Sequence, residues 1–153
     1  MHIQSAFDID LDIDPLWCAW FSGLVDGEGS FCIDVQNNTR SIKAYLAINM
    51  RADEFEGLRK IQDTLHCGNL VYQHCRKGNR NPAYQYRIEA QSSIRHILIP
   101  LFDRYHLRMK KRRDYEIWRK AALLICQDAH LNGYREEVLE LKRRLEEGRR
   151  YKE

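Results

Sequence analysis

The chain has 153 residues, which is enough for one domain with a hydrophobic core and too few for two domains of ordinary size. Hydrophobic residues make up 44% and charged residues 31%, which excludes a disordered or collagen-like chain, and no apolar run is long enough to span a membrane. The net charge of +3 does not by itself indicate a nucleic-acid partner, and the acidic residues 1–14 resemble neither a signal peptide nor a transit peptide.

Residues 15–28 are predicted to form the first helix. Asp14 can accept hydrogen bonds from free backbone N–H groups at the helix start, and Pro15 suits the first helical position. Apolar and small residues continue to Val25, and glycines at positions 27 and 29 mark the end of the helix.

Two hairpins are predicted next, with a helix between them. Residues 30–38 and 42–50 alternate between apolar and polar side chains, which is the period of a half-buried strand. Apolar residues have helical spacing over residues 53–65, and residues 69–76 and 83–90 are predicted to form the second hairpin.

The last third of the chain is predicted to be helical. Ser92 and Ser93 can cap a helix that runs to about residue 106, with a kink or break at Pro100. Further helices are predicted over residues 109–127 and 134–147. This order of elements predicts a single α+β domain over residues 1–153, with one four-stranded antiparallel sheet.

The five cysteines are Cys18, Cys32, Cys67, Cys75 and Cys126; they form no CxxC pair, so a disulfide scaffold is not expected. The dipeptide His-Cys occurs at residues 66–67 and again at 74–75, and four such ligands could build a tetrahedral zinc site. Adjacent ligands rarely reach one ion, and the usual paired spacing is missing. We therefore expect ordinary structural roles for these side chains.

A basic stretch covers residues 104–113. Its members are Arg104, Arg108, Lys110, Lys111, Arg112 and Arg113. Such a run fits a solvated helix face as well as it fits a surface that contacts phosphates.

The end of the first helix carries the candidate chemistry. The small residues Ala19, Ser22 and Gly23 are predicted to lie along one side of the helix, where they would let two helix backbones approach closely. The Glu28 carboxylate, flanked by glycines, can project into the place where those backbones meet, and Mg²⁺ favours such oxygen ligands. A plain helix end with a surface glutamate is the alternative.

Residues 21–29 have the sequence FSGLVDGEG and resemble the signature of the LAGLIDADG homing endonucleases. The following Ser30-Phe31 and the order helix, hairpin, helix, hairpin also fit, so the resemblance covers most of the chain. It implies that family's αββαββα fold with C-terminal helices, in which the four-stranded antiparallel sheet forms a DNA-binding saddle. The activity it implies is metal-dependent hydrolysis of both strands of a long double-stranded DNA site, leaving short 3′ overhangs.

The resemblance also implies the metal ligands. The last acid of the motif, here Glu28, corresponds to the family's metal ligand, and the backbone carbonyl of Gly27 assists it. Mg²⁺ is the expected ion, with Mn²⁺ or Ca²⁺ as substitutes. Asp26 is expected to cap or brace the helix end instead of binding metal.

Residues 106–111 resemble the family's loop and helix start, which carries a catalytic lysine. Lys110 is the first candidate for this role and Lys111 the second, so part of the basic stretch is expected to face DNA. Near the end of the second strand, many family members have a glutamine that positions water. Met50 stands at that place here, and Asn49 or Arg51 could act instead.

One copy of the motif is present, and family members with one copy form homodimers. Because each DNA strand needs its own acid, dimerisation through Ala19, Ser22 and Gly23 is part of the expected mechanism, and the DNA site is expected to be pseudo-palindromic.

DNA recognition is expected on the solvent face of the sheet, because a β-ribbon fits the major groove. The candidates for base contacts are Asp34, Gln36, Asn38, Lys43, Tyr45, Asn49, Gln73, Arg76, Gln85, Arg87 and Glu89. Near the hairpin tips, Arg40, Lys77 and Arg80 are expected to contact phosphates.

Two other functions stay open. One is a catalytically silent binding module on the same fold, either a maturase that binds intron RNA or a transcription regulator. The other is a metabolic or structural domain that uses the first helix only for dimerisation. The expected location is intracellular, in a bacterial or archaeal cytoplasm or in an organelle such as a chloroplast or mitochondrion.

Overall fold

The computed structural model describes residues 11–36, 41–74, 81–127 and 133–149. The elements in chain order are α1 (Pro15–Glu28), β1 (Gly29–Val35), β2 (Ile42–Arg51), a 3₁₀ turn (Ala52–Glu54), α2 (Phe55–Leu65), β3 (Asn69–Gln73), β4 (Ala83–Ile88), α3 (Gln91–Ser93), a π-helical turn (Ile94–Leu98), α4 (Ile99–Arg104), α5 (Lys111–Cys126) and α6 (Arg135–Glu147). The four strands form one antiparallel sheet in the order β1-β2-β4-β3. The predicted α+β class and the predicted sheet are confirmed.

Helix α1 begins as the sequence predicts. The Asp14 carboxylate accepts a hydrogen bond of 3.1 Å from the backbone N–H of Leu16, and Pro15 is the first helical residue. Gly29 ends the helix and is also the first residue of β1, so no loop separates the two elements. A Cβ at position 29 would lie 2.7 Å from Cγ1 of Val25 and 2.8 Å from its carbonyl oxygen, so only glycine fits this junction.

The sheet has an inner face that packs on helices and an outer face that carries polar side chains. Phe31 and Ile33 of β1 and Leu46 and Ile48 of β2 are buried on the inner face. The ring of Phe31 lies near three aromatic rings of the helical layer, those of Phe102, Tyr115 and Trp118, at centroid distances of 5.7, 5.5 and 5.1 Å. The alternation predicted for the first hairpin is therefore confirmed.

The helices contribute the rest of the core, with buried residues from α1 and α2 as well as from α4, α5 and α6. Trp118 of α5 is fully buried, and its indole N–H donates a hydrogen bond of 3.0 Å to the carbonyl of Cys32 in β1. Val138, Leu141 and Leu145 form the buried side of α6, which packs against α5.

The predicted helix around Pro100 differs in detail from the observed one. It begins at Gln91 with no side-chain cap, so the predicted caps at Ser92 and Ser93 are wrong, because both residues lie inside the helix. The chain remains helical through Pro100 by forming the π-helical turn, in which the backbone N–H of Ile99 donates to the carbonyl of Ile94. A π turn changes the hydrogen-bond spacing just before a residue that has no N–H to donate, so Pro100 does not break the helix.

Gly68, between α2 and β3, is expected to tolerate no side chain. Its φ is +88°, and a Cβ there would lie 2.5 Å from Cε2 of Tyr86. We expect Gly68→Ala to lower the free energy of unfolding by about 2 kcal/mol or more, since the backbone strain and the steric clash both act. Gly57→Ala in exposed α2 is the control, and it should raise that free energy by about 0.5–1 kcal/mol. Urea unfolding curves measure both, and equal stability of the two variants would contradict the expectation.

Candidate functional site

Glu28 is the last residue of α1, and its side chain is exposed. Its position is fixed by the direct junction between α1 and β1. The carbonyl groups at the C-terminal end of a helix carry partial negative charge, so a cation is favoured here. An exposed carboxylate beside the peptide oxygen of Gly27 fits Mg²⁺, which is usually bound by one or two carboxylates together with water and phosphate oxygens.

The described part of the chain holds no group of three or more His, Cys, Asp or Glu side chains that could hold a metal ion by themselves. Any ion at Glu28 would therefore take most of its ligands from water, from DNA or from a second carboxylate. Cys75, one of the four residues considered as zinc ligands, lies outside the described residues.

Residues 105–110 form a loop that α1 holds at two places. The Ser22 hydroxyl donates a hydrogen bond of 2.8 Å to the carbonyl of Tyr105. One turn further along α1, the Asp26 carboxylate accepts hydrogen bonds from the backbone N–H groups of Arg108 and Met109, at 2.8 and 3.2 Å. Asp26 therefore braces the helix end, as predicted, and it does so by fixing this loop.

Lys110 and Lys111 follow directly after the braced part of the loop. Lys110 is exposed and precedes the first residue of α5, and Lys111 is that first residue, with a half-buried side chain. Because Asp26 lies two residues before Glu28 on α1, the contacts of Asp26 tie the loop that carries Lys110 to the end of the helix that carries Glu28.

The two helices that flank this loop are held together by Asp103 of α4. Arg119 of α5 contacts its carboxylate with two nitrogens, at 2.9 Å and 2.8 Å, and the Tyr115 hydroxyl donates to it at 2.6 Å. Burial raises the pKa of Tyr115, so its hydroxyl stays protonated and remains a donor. Both ends of the loop are therefore fixed.

The basic stretch divides into two groups. Arg112 forms an ion pair with Glu116 at 3.4 Å, and Arg113 donates to the carbonyl of Arg144 at 3.4 Å. Arg104, Arg108 and Lys110, by contrast, are exposed, and in the described ranges neither they nor Lys111 form an ion pair with an acidic side chain. These four residues remain suited to contact phosphate, and Arg108 and Lys110 lie in the loop that Asp26 braces.

The predicted contact face of α1 needs one correction. Ser22 is buried, with 3% of its surface exposed, because it lies on the side of α1 that carries Cys18 and Val25 and bonds to Tyr105. Ala19 and Gly23 are exposed, as predicted. Two larger residues that were not predicted for this face, Leu16 (80% exposed) and Trp20 (53% exposed), lie on the same side as Ala19 and Gly23.

The outer face of the sheet is formed by alternate residues of all four strands. Asp34 lies opposite Lys43, Asn49 opposite Gln85, and Arg87 opposite Ala47. The predicted candidates that the register places on this face are Asp34, Lys43, Tyr45, Asn49, Gln73, Gln85 and Arg87, while Gln36 and Glu89 directly follow β1 and β4. Five residues that were not predicted as base contacts share this face: Ser30, Cys32, Arg51, Asn69 and Val71. Asn38, Arg40, Arg76, Lys77 and Arg80 lie outside the described residues.

Met50 lies on the inner face, where it is half-buried against the core and opposite Tyr84. Its neighbours Asn49 and Arg51 point to the outer face. The Asn49 side-chain oxygen accepts a hydrogen bond of 3.2 Å from Gln85, and Arg51 pairs with Asp53 at 3.1 Å. Met50 therefore has a packing role, and Asn49 and Arg51 remain the predicted candidates for positioning water.

We expect Asp26→Ala to loosen the loop before α5. The variant removes the acceptor of two backbone N–H groups, so the free energy of unfolding should fall by about 1–3 kcal/mol. The rate of amide hydrogen exchange at Arg108 and Met109 should rise, and the rise should be larger there than at other positions of the same loop. Asp26→Asn, which keeps one acceptor oxygen, should give an intermediate result. Unchanged exchange at these two amides in Asp26→Ala would show that the brace is not needed.

Comparison with known proteins gives one family. The model of a family described as LAGLIDADG endonuclease matches residues 21–122. A curated relative from Schizosaccharomyces pombe, described as "Probable intron-encoded endonuclease Cox1-I1b", is 28% identical over 136 residues, which cover 87% of this chain and 34% of the relative. The chain spans 31% to 34% of the length of the curated relatives it matches.

Solved structures agree with the family match. The LAGLIDADG meganuclease I-AabMI, bound to uncleaved DNA, is 30% identical with a TM-score of 0.70; the match covers 82% of this chain and 43% of that one. I-SmaMI, bound to an uncleaved DNA target in the presence of calcium ions, is 25% identical with a TM-score of 0.72, at the same coverage of 82% and 43%.

The part of the chain that the structure describes contains no helix long and apolar enough to cross a membrane.

Proposed function

The chain belongs to the LAGLIDADG endonuclease family, and from this we propose that it is an intracellular homing endonuclease that hydrolyses both strands of a long, specific double-stranded DNA site. The observation that carries the proposal is the arrangement at the end of α1. An exposed acid, Glu28, ends the helix, and Asp26 fixes the loop that leads to an exposed lysine, Lys110. Glu28 directly precedes β1, and the sheet that contains this strand has a polar outer face.

Glu28 would hold the metal ion, with the carbonyl of Gly27 as a second oxygen ligand. The expected ion is Mg²⁺, and Mn²⁺ or Ca²⁺ could replace it; the related I-SmaMI was solved in the presence of calcium ions. A divalent ion held here supplies positive charge against the scissile phosphate and lowers the pKa of a bound water. Lys110 adds an ammonium group to the same site, with Lys111 next to it, and such a preorganised charge contributes about 10²-fold or more to the rate.

The outer face of the sheet would lie in the major groove. Asn49 and Gln85 carry amides that can recognise adenine, and Arg87 carries a guanidinium that can recognise guanine. Lys43 and Gln73 lie on the same face and extend it toward the ends of the two hairpins.

A second copy of the chain would supply the second acid. The exposed face of α1 combines two small residues, Ala19 and Gly23, with the apolar side chains of Leu16 and Trp20. Two such faces can approach closely and bury these side chains, which brings two Glu28 carboxylates together at the helix ends. The two-fold symmetry of the dimer then makes the DNA site pseudo-palindromic. Short 3′ overhangs are expected for the product from the resemblance to the family.

A library of DNA duplexes tests this function. The cox1 exon junctions are a suitable starting sequence, because the relative from Schizosaccharomyces pombe is described as an intron-encoded Cox1 endonuclease. The protein is incubated with randomised duplexes in Mg²⁺, and the cleaved ends are sequenced. Cleavage at one paired position on both strands supports the proposal. Binding of DNA or intron RNA without cleavage by the wild type would instead show a silent binding module.

A further inference from the structure

Arg87 occupies the middle of the outer face of the sheet. It lies in β4, opposite Ala47 of β2 and Asn69 of β3, so strands flank it on both sides. Its side chain is 28% exposed, which is low for an arginine on a polar surface. The contacts of the Arg87 side chain therefore decide which way its guanidinium points on this face.

Two contacts hold the guanidinium in place. Its central carbon lies 3.6 Å from the centroid of the Tyr45 ring, a cation–π contact. Its Nε lies 3.0 Å from a carboxylate oxygen of Glu89. This buried Nε has no hydrogen-bond partner of good geometry among the described residues, so Glu89 acts on it through charge.

The register of the sheet explains why Arg87 can reach Tyr45. The residue directly opposite is Ala47, which is buried and whose methyl group is small enough to leave room for the Arg87 side chain to pass over it. Tyr45 is two residues from Ala47 on the same strand, and such diagonal neighbours lie within reach of long side chains. A large residue at position 47 would block this path.

The remaining edge of the guanidinium has no partner within the described structure. No described residue accepts a hydrogen bond from either terminal nitrogen. The closest ion-pair contact of the guanidinium, the one to Glu89, is made by Nε. Burial, together with the nearby Cys32, raises the pKa of Tyr45, so the ring below is a neutral phenol. An arginine with a fixed stem and a free planar edge is suited to bidentate hydrogen bonding.

We propose that Arg87 recognises one guanine in each half of the DNA site, donating from its two terminal nitrogens to O6 and N7 in the major groove, and that Tyr45 and Glu89 are positioning residues for it. The inference rests on the proposed function, because it requires that the outer face binds duplex DNA. It adds to that function the two side chains that orient Arg87 and the bidentate geometry of its contact with the base. A bidentate contact of this kind corresponds to a preference for guanine of about 10- to 100-fold.

Selection of bound DNA tests the proposal without cleavage. Randomised duplexes are bound in Ca²⁺, and the base preference at each position is measured for the wild type and for Arg87→Lys. Lysine keeps the charge and loses the planar fork, so guanine preference should fall about 10-fold or more at one position of each half-site, while the other positions stay unchanged. Arg59→Lys, the same substitution at an exposed position of α2, is the control and should leave the base preference unchanged at every position of the site.

Variants of the two positioning residues give a second readout. Tyr45→Leu and Glu89→Gln should weaken the guanine preference at the position that responds to Arg87→Lys, whereas Tyr45→Phe, which keeps the ring, should retain it. A uniform loss of affinity in Arg87→Lys, with no change in base preference, would make Arg87 a phosphate contact and overturn the inference. An unchanged profile would also overturn it. If the wild type selects no sequence at all, the proposed function fails together with it.

Discussion

Glu28→Gln is expected to lower the rate of DNA cleavage by about 10²-fold or more while leaving DNA binding within a few-fold of the wild type. The substitution keeps the size of the side chain and removes its negative charge, which is the only charge that Glu28 offers to a divalent ion. Cleavage is measured on a selected duplex in Mg²⁺, and binding is measured on the same duplex in Ca²⁺. Chelation of the divalent ion should abolish cleavage by the wild type.

Stability should change in the opposite direction. Glu28 places a negative charge at the C-terminal end of α1, where the helix dipole disfavours it, so Glu28→Gln should raise the free energy of unfolding by about 0.3–1 kcal/mol. A loss of cleavage with a gain in stability cannot come from misfolding. Glu56→Gln, on the exposed surface of α2, is the control and should cleave normally. Cleavage by Glu28→Gln at the wild-type rate would overturn the assignment of the metal ligand.

Gly23→Arg is expected to abolish both self-association and cleavage. Gly23 is exposed on α1, and a Cβ there would meet no described atom within 4 Å apart from the adjacent residues and the backbone of its own helix, so the folded chain itself should accept the change. A contact between two α1 helices would not accept it, because the added side chain enters a close backbone approach from both copies. At about 1–3 kcal/mol for each copy, association should weaken by about 30-fold or more.

Sedimentation equilibrium and cleavage measured on the same samples test this expectation. Gly57→Arg on α2 is the matched control, since Gly57 is also exposed and its nearest neighbour is the flexible end of Glu54 at 3.6 Å. It should leave both association and cleavage unchanged. A wild type that stays monomeric at micromolar concentrations would disprove the homodimer, and a Gly23→Arg variant that still dimerises would move the interface elsewhere.

Most of the fold follows from patterns that are local in the sequence. The cap at Asp14 and Pro15 placed the start of α1 correctly, and strict alternation placed both faces of the first hairpin. The motif residues around Glu28 identified the family because they combine a helix end, a glycine junction and an acid within a few positions. These features depend on neighbours along the chain, so a single sequence contains them.

The missed features depend on residues far apart in the chain. Ser22 was expected at an interface, but its partner Tyr105 lies 83 residues away and holds it inside the domain. The contact between Arg87 and Tyr45 depends on the register of two strands that are not consecutive in the chain. Ala47, which lies opposite Arg87 and leaves room for this contact, has no sequence feature that indicates it. At Pro100, the sequence predicted a disturbance of the helix but could not indicate that a π turn absorbs it.

The direct junction between α1 and β1 has a geometric consequence for evolution and redesign. Glu28 ends the helix and Gly29 begins the strand, so each residue of β1 stands at a set number of strand steps, about 3.3 Å each, from Glu28. An insertion of one residue after position 29 would turn every outward side chain of β1 to the other face. In the proposed complex with DNA, the base pairs that β1 contacts can therefore be changed by substitution, but their spacing from the proposed cleavage site cannot be lengthened or shortened one residue at a time.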